Sequence, residues 1–290
     1  MGWLPIAIFG GVLLVLFTLV TSLYDSEGGL TQSGESTAET TSGFTAELSP
    51  VAVRPLTRTS TVRLSFTWIG DDVAAEGRLG QNTRVTVLTG TGVSETRYPA
   101  GTVPATVEVE MAVSGEQAAY PFDDYSGIIK VFMDSYQVEE DGSITSTGEL
   151  PVALSAAGSV SGWNTSAVFT TDIDGEHVAT FDFSRAFSTQ AFAIVILVMS
   201  VILAGLALTA GVLMKTRRRI VEATLLSWAA ALVFALPALR NFMPNAPPIG
   251  AAIDVYVFLW VMVAAVSAAA LVIIAWIERD RPTRGDDHAA

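Results

Sequence analysis

Four long apolar runs and one long alternating region divide this chain. Residues 2–24 are uncharged and long enough to cross a ~30 Å hydrocarbon core. Residues 187–214 carry no charge at all, and residues 220–239 and 255–277 form two further runs, the first with Glu222 near its start. Between the first and second runs the period changes from helical to strand-like. Residues 62–68 and 107–113 alternate apolar with polar, so Glu108 and Glu110 must face water if the neighbouring valines face a core. Residues 84–88, 128–133, 167–171 and 178–183 read as further strands, and Asp141-Gly142 and Asp174-Gly175 are hairpin dipeptides.

The expected fold class is therefore a membrane α-helical bundle of four transmembrane helices plus an all-β antiparallel sandwich at 50–186, long enough to bury its own core. No Lys or Arg precedes the first run, and Val20-Thr21-Ser22 makes a poor cleavage site, so 1–24 is expected to be a retained signal anchor. Residues 25–49, with Glu27, Glu35, Glu39 and Glu47 amid Ser, Thr and Gly, read as an acidic flexible linker. Helices are then expected at 187–214, 220–239 and 255–277, separated by a basic loop at 215–219 and a proline-rich loop at 240–254, with a tail at 278–290.

Composition supports the membrane reading: 50% of the 290 residues are hydrophobic and the mean hydropathy is +0.47. Cysteine is absent, which removes disulfides and thiolate metal sites, and His177 and His288 are the only histidines. Net charge is −13. Residues 25–185 hold 23 acidic and 8 basic residues, a local balance of −15, which excludes a nucleic-acid-binding face. Lys215, Arg217, Arg218, Arg219, Arg279, Arg281 and Arg284 collect at one side of the spans, so that side is expected to be cytoplasmic. With four spans, both termini are then cytoplasmic in a cell-membrane protein. The β region and the proline-rich loop are both extracytoplasmic and share a face. Small residues such as Ala204, Gly205, Ala264 and Ala265 suit close helix packing, within the chain or against other membrane subunits.

Two stretches stand out as candidate binding or docking sites. The loop begins at Arg240 and ends at Asp254, which are placed to pair; Asn241 and Asn245 are candidates to satisfy carbonyls freed by Pro237, which should break or kink the third span. Pro247-Pro248 imposes an extended segment. The second stretch is the turn Tyr120-Pro121-Phe122-Asp123-Asp124-Tyr125, either a turn with buried aromatics and a capping carboxylate or a coupling loop. Residues 172–176 resemble part of a calcium loop but lack its closing glutamate, so a hairpin turn is expected there. No metal, cofactor or catalytic constellation is expected.

Leu239-Arg240-Asn241, Pro244-Asn245-Ala246-Pro247-Pro248-Ile249-Gly250, Asp254 and Phe258-Leu259-Trp260, with the Tyr120–Asp123 turn and Ser184-Arg185, resemble an uncharacterised family of actinobacterial, largely mycobacterial, membrane proteins, domain of unknown function 4436. The resemblance implies one anchor, an outer domain and three further spans over nearly the whole chain, and it implies no activity. The aromatic-Pro-Phe-Asp turn is also similar to one in the outer sandwich of pentameric ligand-gated channels, but there no span precedes the sandwich. The expected function is that of a non-enzymatic envelope protein that scaffolds, binds or senses, its β domain docked on the 240–254 loop. The alternatives are a subunit of a transport or channel complex and, third, a membrane enzyme acting on lipid or glycan through carboxylates such as Asp123 and Asp124. Membrane lipid is the expected partner.

Overall fold

The computed structural model describes residues 18, 21–22, 30–33, 43–69, 78–171, 177–216, 223–245 and 247–279. The chain divides into two compact units. One comprises Met1–Gln117 with Phe122–Thr189, the other Ala118–Pro121 with Gln190–Ala290.

Among the described residues, the first unit is built on eleven strands: β1 (Leu30–Ser33), β2 (Gly43–Arg54), β3 (Thr59–Ile69), β4 (Thr83–Thr89), β5 (Gly92–Tyr98), β6 (Val107–Gly115), β7 (Asp124–Val138), β8 (Ile144–Glu149), β9 (Val152–Ala156), β10 (Trp163–Thr171) and β11 (His177–Arg185). They join in one barrel-like sheet in the order β1-β10-β11-β7-β6-β3-β2-β9, with β4 and β8 also paired to β7 and β5 paired to β4. This corrects the expected sandwich. The reason lies in β6 and β7. Val107–Ala112 of β6 pairs with β3, and Val113–Gly115 pairs with β7, so one strand belongs to both would-be layers and fuses them. β7 is long enough to hold β11 and then β8 on one edge, and β6 and then β4 on the other. The pairing is not purely antiparallel either, since β1–β10 and β2–β9 are parallel. β1 and the first half of β2 also fall within the stretch read as a flexible linker; Phe44, Ala46 and Leu48 are buried there, an alternation hidden among short polar residues.

One core fills this sheet. Phe44, Leu48 and Leu64 share it with Met111, Ile129, Met133, Trp163, Phe181 and Phe183. Glu108 and Glu110 are exposed, as the alternation requires, and pair with Arg63 at 2.8 Å and Arg54 at 3.1 Å. On β4 and β7, Arg84 and Asp134 stand directly opposite and form two bonds of 2.9 and 2.5 Å. Burial alone would raise the Asp134 pKa, but the hydrogen bonds from Arg84 and Ser146 outweigh it and hold the carboxyl below its ordinary value.

The helical unit contains α1 (Phe187–Lys215, entered from the first unit), α2 (Ala223–Asn241), a π-helical turn (Asp254–Phe258) and α3 (Leu259–Arg279). Among the described residues, three helical segments are long and apolar enough to cross a membrane: Phe187–Lys215, Thr224–Asn241 and Asp254–Glu278. The four-helix expectation is corrected to these three. Apart from residues 18, 21 and 22, its first span, 2–24, lies outside the described residues, as do Glu222, the arginines at 217–219 and most of the tail. Small residues set the helix spacing: Ala204 and Ala207 of α1 and Ala265 and Ala268 of α3 are buried, and a Cβ at Gly211 would meet the Ala268 carbonyl oxygen at 3.0 Å. α2 does not end at Pro237 but runs on to Asn241.

Gly115 tests the β6–β7 junction. A Cβ there would lie 2.1 Å from the Asp124 carbonyl oxygen and 2.5 Å from the Tyr125 ring. Gly115→Ala is expected to lower the urea midpoint by the equivalent of about 1–3 kcal/mol. Gly148→Ala, whose nearest contact would be an ordinary 3.7 Å, should leave it unchanged.

Candidate functional site

Two buried ion pairs organise the residues singled out by the sequence. The first lies where the β unit ends. Asp123 precedes β7 and Arg185 closes β11, and both side chains are 1% exposed. Arg185 donates from Nε to Asp123 Oδ1 at 2.5 Å and from Nη2 to Oδ2 at 3.0 Å. The Tyr125 hydroxyl donates to the same Oδ2 at 2.9 Å. The guanidinium carbon sits 4.5 Å from the centroid of the buried Trp163 ring, which in turn meets Tyr125 edge-on at 5.6 Å. Carboxylate, phenol, guanidinium and indole thus form one closed cluster. Burial, followed by the Asp123 hydrogen bond, raises the Tyr125 pKa above its ordinary value.

Strand alternation separates the two neighbouring aspartates. Asp123 and Tyr125 face inward and Asp124 faces solvent. The pair proposed for acid–base work therefore does not converge. The β11–α1 junction is tied back to the start of β10 as well: Ala186 N and the Thr189 hydroxyl both donate to the Gly162 carbonyl, at 3.0 and 3.3 Å.

The second pair lies in the helical unit. Arg240 Nε and Nη2 donate to Asp254 Oδ1 and Oδ2 at 3.0 and 2.7 Å. Nη2 also donates to the carbonyls of Pro247 and Pro248 at 3.0 and 3.1 Å, and Gly250 N donates to Asp254 Oδ2 at 2.9 Å. One guanidinium thus closes the hairpin and satisfies its extended proline segment. The carbonyls that Arg240 serves are those of Pro247 and Pro248, not ones freed by Pro237. Asn241 is the exposed last residue of α2, and Asn245 is exposed with a φ of 52°, a left-handed conformation that Asn tolerates.

Tyr120 belongs to this same helical unit. It is 1% exposed and packs with Ala193, Ile196, Met243, Ala251 and Ile253. Its hydroxyl donates to the Pro244 carbonyl at 3.0 Å, and its peptide bond to Pro121 is cis. The eight candidate residues are thus placed in distinct roles. Tyr120 and Arg240 are buried, and Asp254 is half-buried, around the proline-rich loop; Asp123 and Tyr125 are buried in the β unit; Asp124, Asn241 and Asn245 face solvent.

Arg185 was not among those candidates, although it completes the first cluster with Trp163. One sequence signal pointed to it. It is a lone cation just before an apolar run, and such a cation needs a local partner. Residues 172–176 lie outside the described residues. Among the described residues no cluster of His, Asp and Glu has the makings of a metal site.

Fold and site together define a β-rich unit with a buried ion-pair cluster joined to apolar helices of membrane-spanning length. The model described as Domain of unknown function (DUF4436) matches residues 34–183, more than half of the chain, and the chain belongs to that family. A second model, Domain of unknown function (DUF8686), matches residues 185–279. The resemblance was expected to run nearly the whole length under one family. The proline-rich stretch at 239–260 instead falls in the second match, the Tyr120–Asp123 turn falls in the first, and Ser184 lies between the two with Arg185 opening the second. No curated protein matches the chain.

Removing one partner of a buried pair strands the other charge. Asp123→Ala should destabilise by about 3–5 kcal/mol. The triple variant Asp123→Leu/Arg185→Met/Tyr125→Phe should recover much of that loss, as read by thermal unfolding through Trp163 fluorescence. Tyr125 makes a second prediction. Its folded pKa lies above the unfolded value of about 10, so its contribution is complete below pH ~10 and is lost as pH rises through the folded value. Alkaline titration at the phenolate absorbance should show fewer tyrosines ionising near pH 10 in native than in unfolded wild-type protein, and Tyr125→Phe should narrow that difference by one. Tyr125→Phe should flatten that limb of the stability curve.

Proposed function

We propose that this chain is a non-enzymatic, multi-pass protein of the cell membrane whose β unit binds, scaffolds or senses outside the cytoplasm, seated on the Arg240–Asp254 loop. The observation that carries the reading is Tyr120. This residue interrupts the run between β6 and β7, yet its ring is buried against Met243, Ala251 and Ile253 and its hydroxyl reaches Pro244. The loop that receives it is held rigid by a guanidinium with four acceptor contacts. A ligand-responsive or load-bearing β unit needs such an attachment, because a flexible tether transmits neither position nor force.

The transport alternative is less well supported. Among the described residues, the ionisable groups of the three spans lie at their ends and are paired, Arg240 with Asp254 and Lys215 with Glu278. Arg240 is engaged by Asp254 and by loop carbonyls rather than left open to a path. The enzymatic alternative rested on Asp123 and Asp124, which point to opposite faces of the sheet. The orientation, with both termini and Lys215 cytoplasmic, rests on the distribution of Lys and Arg.

The seat can be tested cleanly because the chain has no native cysteine. Cysteines at Ala119 and Asn245 should be joined by a short bismaleimide in native membranes, and Tyr120→Ala should abolish that cross-link. Failure to cross-link with both thiols labelled would remove the seat. Affinity purification from native membranes should recover a specific partner with the wild-type chain and less with Tyr120→Ala. Recovery of none would remove the binding role, and a reporter fused after Lys215 that proves extracytoplasmic would overturn the orientation.

A further inference from the structure

Across the outer face of β1, β10, β11, β7 and β6, strand register lines up one unbroken polar row: Thr31, Ser166, Asp182, Ser126 and Ser114. One step along, Asn164, Ser184 and Asp124 form a second row on β10, β11 and β7. The two rows border an open cleft of about 570 Å³, within the range of small-ligand sites. By alternation, the neighbouring Tyr125, Thr165 and Phe183 turn their side chains to the core, so the floor of the cleft is main chain.

Several carboxylates of this sheet are matched with arginines, as in Arg63–Glu108, Arg54–Glu110 and Arg84–Asp134. Asp124 and Asp182 have no ion-pair partner among the described residues, and no Lys or Arg borders the cleft. Six hydroxyl or amide side chains surround them. A phosphate or other anion would meet two carboxylates without a compensating cation. The side chains that the two rows present are polar, and the aromatic rings beside them, Tyr125 and Phe183, are buried. Hydroxyl and amide groups both donate and accept, and ionised carboxylates accept from two directions. That set is complementary to a ligand whose own groups are neutral hydroxyls.

We propose that this cleft binds a neutral glycan, with Asp124 and Asp182 accepting from sugar hydroxyls and Asn164, Ser126, Ser166 and Ser184 filling out the network. This names the ligand class of the binding role proposed above and rests on that role. A cationic partner is the competing occupant, since the β region is acidic overall. The two differ in salt response: hydrogen-bonded hydroxyls are little screened, whereas a cation on two exposed carboxylates is.

The test uses the full chain in lipid nanodiscs, titrated calorimetrically with neutral trisaccharides of glucose, galactose and mannose at low and high salt. Saturable binding by at least one, nearly independent of salt, is expected. Asp182→Ala and Asn164→Ala should each weaken it by about tenfold or more. Thr145→Ala, on the exposed face of β8, should leave it intact. Circular dichroism and the urea midpoint verify that each variant folds, and Ser166→Ala gives a milder change at the same row. Absence of saturable binding by the folded wild-type protein, or displacement by polylysine with steep salt dependence, overturns the glycan assignment. The partner capture from native membranes reports on the binding role separately, so a protein partner recovered without sugar binding leaves that role standing and this ligand class refuted.

Discussion

The constraint on which the β unit depends is that a guanidinium placed out of water must have its charge and its donors answered locally. Arg185 stands at the last residue of β11, two positions before a helix that has no charge until Lys215. Asp123 answers it with both oxygens, Tyr125 adds a donor to one of those oxygens, and Trp163 offers its ring face. Each of these residues fixes an element: the start of β7, the first turn of its register, the start of β10 and the end of β11. Such a pair contributes little net stability compared with an apolar replacement, because desolvating two charges offsets their attraction. What it supplies is uniqueness. A one-residue slip of β7 against β11 would set Arg185 opposite Phe122 in one direction, leaving its charge unanswered, and in the other would bring Asp124 inward but turn Tyr125 out of the cluster.

Much of the secondary structure was legible in sequence, because period-2 and unbroken apolar patterns are local properties. The alternation at 107–113 and the apolar run from 187 both correspond to elements with those residues at their centres. The topology was not legible. Whether strands make two sheets or one depends on a single strand changing partners at Ala112–Val113, and no local pattern announces that change. β2 escaped notice because its inward Phe44, Ala46 and Leu48 alternate with Thr45 and Glu47 in a stretch whose average composition is that of a linker. The parallel pairings of β1 and β9 are likewise non-local.

Of the candidate site, the ends of the proline-rich loop were legible because two opposite charges flank an otherwise neutral segment. The role of the carbonyls of Pro247 and Pro248 was not, since main-chain acceptors carry no residue signature. The reading of Asp123 and Asp124 as a pair failed for an elementary reason: adjacent residues on a strand look in opposite directions. That alternation, applied to the neighbouring strands, is also what collects Asp124 and Asp182 on one outer face.

The placement of Ala118–Pro121 in the helical unit bears on how this chain can be cut and recombined. The two family matches meet between residues 183 and 185, which invites a view of two modules in tandem. Physically the boundary is discontinuous. A fragment ending at 184 would carry Tyr120 without Met243, Ala251 or Ile253 to cover it, and Asp123 without Arg185 to neutralise it. Exchange of the helical part between relatives would similarly require a matching aromatic three residues ahead of that aspartate. The heredity of the two halves is thus bound together by residues such as Tyr120, Asp123 and Met243 that lie far from their junction in sequence.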